Sequence, residues 1–222
     1  MMHVINRHKN FWSQKPFALS ALSGILLLAF SLFINYCANV YVALGASVAV
    51  SDIILDNLPV FNVSFIFLEG FILFLIFVIF LLIREPHKML FAVKSIAVFI
   101  FTRAIFISLT HIAMPPDNSF LDLGKIFQGI TSGNDLFFSS HTGLPFLMAL
   151  IFWENKKIRI IFILASLIFG ASVLLGHLHY SIDVFAAFFI TYGIFRLAQI
   201  LFPKDYKLLF SYKSLSKKSV FG

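Results

Sequence analysis

The chain has 222 residues, 60% hydrophobic and only 12% charged, with 30 phenylalanines and a mean hydropathy of +0.95. Soluble domains carry about a quarter charged residues, so a water-soluble globular fold is excluded and one all-α, polytopic membrane domain is expected. In such a chain the formal net charge of +7 reflects basic loops on one side of a membrane, not a nucleic-acid partner.

A spanning helix needs about 20 apolar residues, and six are predicted. The first runs over residues 17–37, with an apolar continuation toward Val50. The second covers about 62–83 and the third about 90–110. The fourth covers about 136–153, the fifth about 158–175 and the sixth about 180–202. From His141 to Trp153 a helix measures only ~20 Å, so the fourth span has to take in Ser139, Ser140 and His141. A basic start and small residues near Ala46 and Ala49 imitate a signal peptide. The apolar run is much longer than a signal core of about 7–15 residues, so the first span is expected to be retained. Residues 1–16 form the N-terminal segment, 17–203 the helical core and 204–222 a basic tail, read as disordered or lying on anionic lipid.

Arg7, Lys9 and Lys15 precede the first span, and Arg84 and Lys88 separate the second from the third. Lys156, Lys157 and Arg159 lie between the fourth and fifth, and Lys204, Lys207, Lys213, Lys217 and Lys218 follow the sixth. All four segments fall on one side of a six-span chain. The opposite loops carry Asp52, Asp56, Asp117, Asp122 and Asp135, with Lys125 the sole cation. The positive-inside rule therefore predicts cytoplasmic termini. The longest outer loop, 111–135, combines Pro115-Pro116 and three glycines with Phe120, Leu121, Leu123, Ile126, Phe127 and Ile130. That pattern predicts a short amphipathic segment on the membrane or over a site. The phenylalanine stripes of the spans are read as lipid-facing.

Polar residues inside a bilayer are costly and mark function by default. Two clusters stand out: Phe138-Ser139-Ser140-His141-Thr142, and His177-Leu178-His179-Tyr180-Ser181-Ile182-Asp183. The charge distribution places both at the outer face. His179 and Asp183 are four apart, on one face of a helix. A carboxylate on one imidazole nitrogen fixes the tautomer and leaves the other nitrogen a competent nucleophile. His179 is assigned that role toward a phosphorus centre, with Asp183 as orienter and His141 as acid and then base. Ser139, Ser140, Thr142 and the amides opening the fourth span are candidate donors to phosphoryl oxygens. Arg103, in the outer half of the third span, supplies a planar fork suited to phosphate.

An isolated histidine in a membrane helix commonly makes an interhelical hydrogen bond. Two histidine motifs on one side, each with its own acid–base residue, call for more than that. Asp135 joins the site as a substrate-binding candidate because it lies six residues before His141. For Glu69, inside the second span, a head-group contact, a pairing with Arg103 and a structural role all stay open. His177 falls on a different helix face from His179 and is read as structural. No Cys/His spacing resembles a zinc site, and the single Cys37 excludes an intramolecular disulfide framework. No metal and no cofactor is expected.

The segment Asp135-Leu136-Phe137-Phe138-Ser139-Ser140-His141-Thr142 resembles the Asp-x-x-x-Ser-Gly-His-Thr motif of the sphingomyelin synthase branch of the type-2 phosphatidic acid phosphatase superfamily. His179-Tyr180-Ser181-Ile182-Asp183-Val184 is similar to that branch's His-Tyr-Thr-x-Asp-Val motif, with weaker likeness through Ala186, Ala187 and Thr191 to Arg196. Arg103 through Pro115-Pro116 resembles its third-span motif, and Asn57-Leu58-Pro59 its first outer loop. The resemblance implies six spans, an outward-facing triad of His141, His179 and Asp183, and a covalent phosphohistidine. Ser140 stands where that branch has glycine, and Leu178 where an acidic residue often stands. Val173 occupies the position of the arginine that ordinary phosphatidic acid phosphatases place before the second histidine, and no Lys-x6-Arg-Pro motif occurs. Both absences weigh against an ordinary phosphatidic acid phosphatase.

The leading expectation is a membrane enzyme moving a phospho-head group from a phospholipid to a lipid acceptor at the periplasmic or exoplasmic face, with a bacterial inner membrane as the favoured setting. Hydrolysis of a phosphatidate or isoprenoid phosphate is the alternative on the same fold. A non-catalytic lipid-binding or transport protein is the alternative of another class, against which the chain shows no inverted repeat.

Overall fold

A bilayer interior offers a backbone no hydrogen-bond partner but itself, and the long apolar runs of this chain are helical. The computed structural model describes residues 8–45, 48–119 and 136–218. Helix α1 (Lys15–Ala43) carries a proline in its first turn, where the missing N–H has no intrahelical role. A π-helical stretch, Phe65–Gly70, runs directly into α2 (Phe71–Arg84). Then come α3 (Pro86–Thr110), α4 (Ser140–Ile151), α5 (Lys156–Leu175), α6 (Ser181–Leu201) and α7 (Pro203–Lys218). Five of these stretches are long and apolar enough to cross a membrane: α1, Phe65–Arg84, α3, α5 and α6. The protein is thus an all-α, polytopic membrane protein.

Helix α3 is the most buried of the five and the hub of the packing. It carries α1 along one side and touches α6, α4 and α7, while α4 lies between α5 and α6. Gly143 permits that close approach: a Cβ there would fall 2.8 Å from the Phe99 ring of α3 and from Thr191 Oγ1 of α6. Phe91, Phe99, Phe138, Leu147, Met148, Phe152 and Phe162 fill the centre. The outside is apolar too, with Leu19, Phe33, Leu73, Ile79, Ile168 and Phe189 among the exposed side chains. A helix surface apolar all round suits lipid and not water.

The two ends of the bundle differ chemically. At one, the α2–α3 turn and the end of α4 meet: Lys88 Nζ pairs with Glu85 Oε2 at 3.2 Å and lies 4.4 Å over the Phe152 ring. Arg159 stacks on Trp153 nearby, at 4.4 Å. At the other end, Thr110 Oγ1 donates to the Leu136 carbonyl at 3.2 Å, and the starts of α4 and α6 come together. The basic turns and the histidine motifs therefore occupy opposite ends.

Three features depart from the sequence expectation. The fourth span was expected from residue 136, but α4 begins at Ser140 and has 12 residues, about 18 Å of helix. Phe137 and Phe138 have φ of 150° and 30°, which no right-handed helix admits, and Ser139 caps the helix that follows. Of the two readings of the basic tail, disorder is overturned: the tail is helical over Pro203–Lys218. It is held by a buried ion pair, Lys94 Nζ to Asp205 Oδ2 at 2.6 Å, with Ser20 Oγ donating to Asp205 Oδ1 at 2.7 Å. Finally, the phenylalanines read as lipid-facing divide: Phe67, Phe74, Phe91, Phe99 and Phe162 are buried inside the bundle. The amphipathic segment expected from Phe120 to Ile130 lies outside the described residues.

Candidate active site

The loop from Gly176 to Tyr180 reverses the chain between α5 and α6. His177 there takes φ 49°, a left-handed conformation uncommon for a residue with a side chain. Gly176 allows the tight return, since a Cβ would lie 2.5 Å from Val63 Cγ2. Tyr180 is the N-cap of α6, and Asp183 sits in the first turn with its side chain folded back. Its Oδ2 accepts both the Tyr180 amide at 3.1 Å and a bond from His179 Nδ1 at 3.2 Å. One carboxylate oxygen thus caps the helix and orients the imidazole. Asp183 is wholly buried and His179 nearly so, and Asp183 Oδ1 has no hydrogen-bond partner among the described residues. With Nδ1 committed to the carboxylate, Nε2 of His179 is the nitrogen left for chemistry.

The second motif is tied to the first through the backbone: Ser139 N donates to the Asp183 carbonyl at 3.0 Å. Ser139 Oγ caps α4 by accepting from the Thr142 amide at 3.4 Å. The amides of Ser140 and His141 are then left at the helix start without intrahelical acceptors, the usual makings of an anion site. Ser139 and Thr142 are fully buried, and Thr142 packs against Gly170 of α5, whereas Ser140 is partly exposed. Ser140 is therefore the hydroxyl of the motif with access to a ligand.

His141 lies in an aromatic slot. Its ring stacks on Phe67 at a centroid distance of 3.9 Å and on Phe71 at 4.1 Å, with Phe169 edge-on at 6.2 Å. The Phe67 carbonyl hydrogen-bonds the ring, and His179 and Arg103 are close enough to act on it electrostatically. The slot fixes the imidazole plane. Arg103, buried on α3, reaches the same segment through Nε to the Phe138 carbonyl at 3.4 Å. The unusual φ values at Phe137 and Phe138 are what turn that carbonyl toward α3.

Among the other expected participants, Glu69 is exposed on the π-helical stretch and makes no ion pair with a described residue. Asp135 lies outside the described residues. Asp52, in sequence merely one acidic loop charge, ties the loop between α1 and the π-helical stretch to the site. Its Oδ2 accepts the Ser181 amide at 2.6 Å, and its Oδ1 accepts those of Ile54 and Leu55 at 2.9 and 3.2 Å. Burial opposes its ionisation, but the hydrogen bonds from Ser181, Ile54 and Leu55 outweigh that and hold its pKa below the ordinary carboxylate value. Tyr180 adds a second tie, its hydroxyl donating to the Ala113 carbonyl at 3.0 Å and accepting from Val50 N at 3.1 Å. The aspartate followed by two amides in reach is the local signature that marks Asp52 in sequence; the partner at Ser181 has none.

A bundle of long apolar helices with a buried histidine–aspartate pair at one end is the architecture of a polytopic membrane protein, and the pair is consistent with a phosphatase-type site. Residues 132–200, from just before α4 through α6, match the family model described as PAP2 superfamily C-terminal, so this part of the chain is similar to that family. No curated protein and no solved structure matches the chain.

Proposed function

We propose that the protein is a membrane lipid phosphotransferase that moves a phospho-head group between lipids through a phosphohistidine on His179. The bond from His179 Nδ1 to Asp183 Oδ2, 3.2 Å in a buried site, carries this reading. Nε2 of His179 attacks phosphorus and the bond from phosphorus to the donor lipid's oxygen breaks. That oxygen takes its proton from His141 and leaves as an alcohol. The acceptor hydroxyl then gives its proton to His141 and attacks phosphorus, and the bond to Nε2 breaks. Arg103, Ser140 and the first amides of α4 face the charge that spreads over the phosphoryl oxygens. In this reading six segments cross the membrane, the short α4 with them. The basic end is cytoplasmic and the site lies at the outer leaflet, where head groups are.

The likeness of both histidine motifs to the sphingomyelin synthase branch supports transfer to a lipid alcohol. The superfamily link supports lipid-phosphatase-type activity in general, so hydrolysis, with water as acceptor, is the second reading. Purified protein supplied with labelled phospholipid, with and without ceramide or diacylglycerol, separates them. Label in a new lipid that depends on the acceptor supports transfer; water-soluble labelled product without acceptor supports hydrolysis. Wild-type activity equal to that of His179→Ala in every arm would sink the mechanism.

A further inference from the structure

The stretch Phe65–Gly70 is π-helical and leads straight into α2. Such turns are rare and recur at functional sites, and this one lies against His141. Where a ladder of i→i−5 bonds gives way to i→i−4 bonds, it passes over one carbonyl, which can then turn to a side chain. At the junction with α2 an amide goes to the Leu68 carbonyl, and the Phe67 carbonyl, one residue earlier, receives a hydrogen bond from the His141 ring. The Phe67 ring stacks on the same imidazole at 3.9 Å and that of Phe71 at 4.1 Å. Phe169 of α5 stands edge-on, 6.2 Å from His141 and 5.6 Å from Phe71 between centroids. His141 itself is partly exposed, so its ring has an anchored side and an open one.

A backbone carbonyl accepts and has no proton to exchange. The ring nitrogen bonded to it therefore carries hydrogen whether the imidazole is neutral or charged. The neutral ring is confined to one tautomer, and protons enter and leave through the other nitrogen alone. The rings stacked on the imidazole also oppose the flip that would exchange the two nitrogens. We infer that the π-helical stretch is a working part of the site: through the Phe67 carbonyl it locks the His141 tautomer, so that one nitrogen both gives the proton to the departing oxygen and takes it from the acceptor. The inference rests on the acid–base reading of His141 proposed above, and Phe67 is a positioning residue that acts through that ring. This lock differs in kind from the one on His179, whose Nδ1 meets the Asp183 carboxylate. Here the acceptor is neutral and belongs to the main chain. A side-chain replacement at Phe67 therefore removes a stacked ring and leaves the lock in place.

The test is nitrogen NMR of the full-length protein with isotopically labelled histidine, at a pH where the ring is neutral, with His141→Gln to assign the signal. Ring nitrogens with and without hydrogen resonate far apart, so one locked tautomer is distinct from an exchanging mixture. Wild type and Phe67→Leu are expected to show a single His141 tautomer. Deleting Ile66, which lets an i→i−4 ladder run unbroken into α2, should give a mixture. A second variant covers a deletion that does not fold: replacing Leu68 by its α-hydroxy acid turns the Phe67 carbonyl into an ester, a weaker acceptor. There kcat should fall about three- to tenfold with KM little changed, one hydrogen bond's worth. The same replacement at Leu73, exposed on α2, should leave kcat near wild type. An exchanging mixture in wild type, or a single tautomer that survives both the deletion and the ester, overturns the inference. The NMR readout needs no turnover, so lipid phosphotransfer undiminished in His141→Gln, beside an intact lock in wild type, sinks the acid–base reading alone.

Discussion

At the residue scale, Asp183 is the densest point of the molecule in function. Its Oδ2 serves a helix cap and, in the proposed mechanism, the orientation of His179 together, so an isosteric change separates the two losses. Asp183→Asn is expected to lower turnover by on the order of 10³–10⁴-fold, as when a triad carboxylate loses its hold on the imidazole tautomer. His179→Ala should lower it at least as far, with the fold intact by circular dichroism. Near wild-type turnover in Asp183→Asn would remove the orienter from the mechanism. Asp52 gives a different signature. Its pKa is lowered by folding, so its contribution to stability is complete above the ordinary carboxylate range and is lost as the pH falls through the lower, folded value. Wild type should therefore be more stable than Asp52→Asn at pH 7, and the gap in melting temperature should close only on strong acidification, below about pH 4. A gap that closes between pH 8 and 6 would assign the effect to another group.

Among elements, what was legible in the sequence followed from composition and what was not followed from distant partners. Apolar runs of bilayer length gave the long helices because hydropathy is a local property. The two histidine motifs were legible because their spacing is local too. The start of α4 was not, since the helix break at Phe137 and Phe138 depends on where Arg103 and Asp183 hold that segment. Nor was the aromatic slot: nothing in the sequence separates Phe67 and Phe71, which stack on His141, from the phenylalanines outside. The folding of the tail onto the bundle depends on a pair whose members are 111 residues apart, Lys94 and Asp205. Removing one member of a buried pair typically costs about 3–5 kcal/mol, whereas replacing both by apolar residues is often neutral. Asp205→Ala should thus lower resistance to thermal inactivation far more than Lys94→Met/Asp205→Leu. If the double replacement is as damaging as the single one, the pair holds the tail by something other than charge neutralisation.

For the whole molecule, the opposed chemistry of the two ends determines how it can sit in a membrane. With Cys37→Ser as background, a cysteine at Asp117 should react with an impermeant thiol reagent added from outside intact cells. A cysteine at Lys157 should react only after the membrane is opened. Labelling of both from the same side would contradict the six-span arrangement and the outer placement of the site.

The Lys94–Asp205 pair also bears on the order of events during synthesis. Lys94 is synthesised 111 residues before Asp205, an interval of roughly 5–20 s at about 5–20 residues per second. Through that interval the Lys94 ammonium has entered an apolar environment with Ser20 Oγ, 2.7 Å away in the finished fold, as the partner already made. The α1–α3 contact is then the nascent chain's means of tolerating the charge, and the last helix completes neutralisation only after every residue of the site at the opposite end has been synthesised.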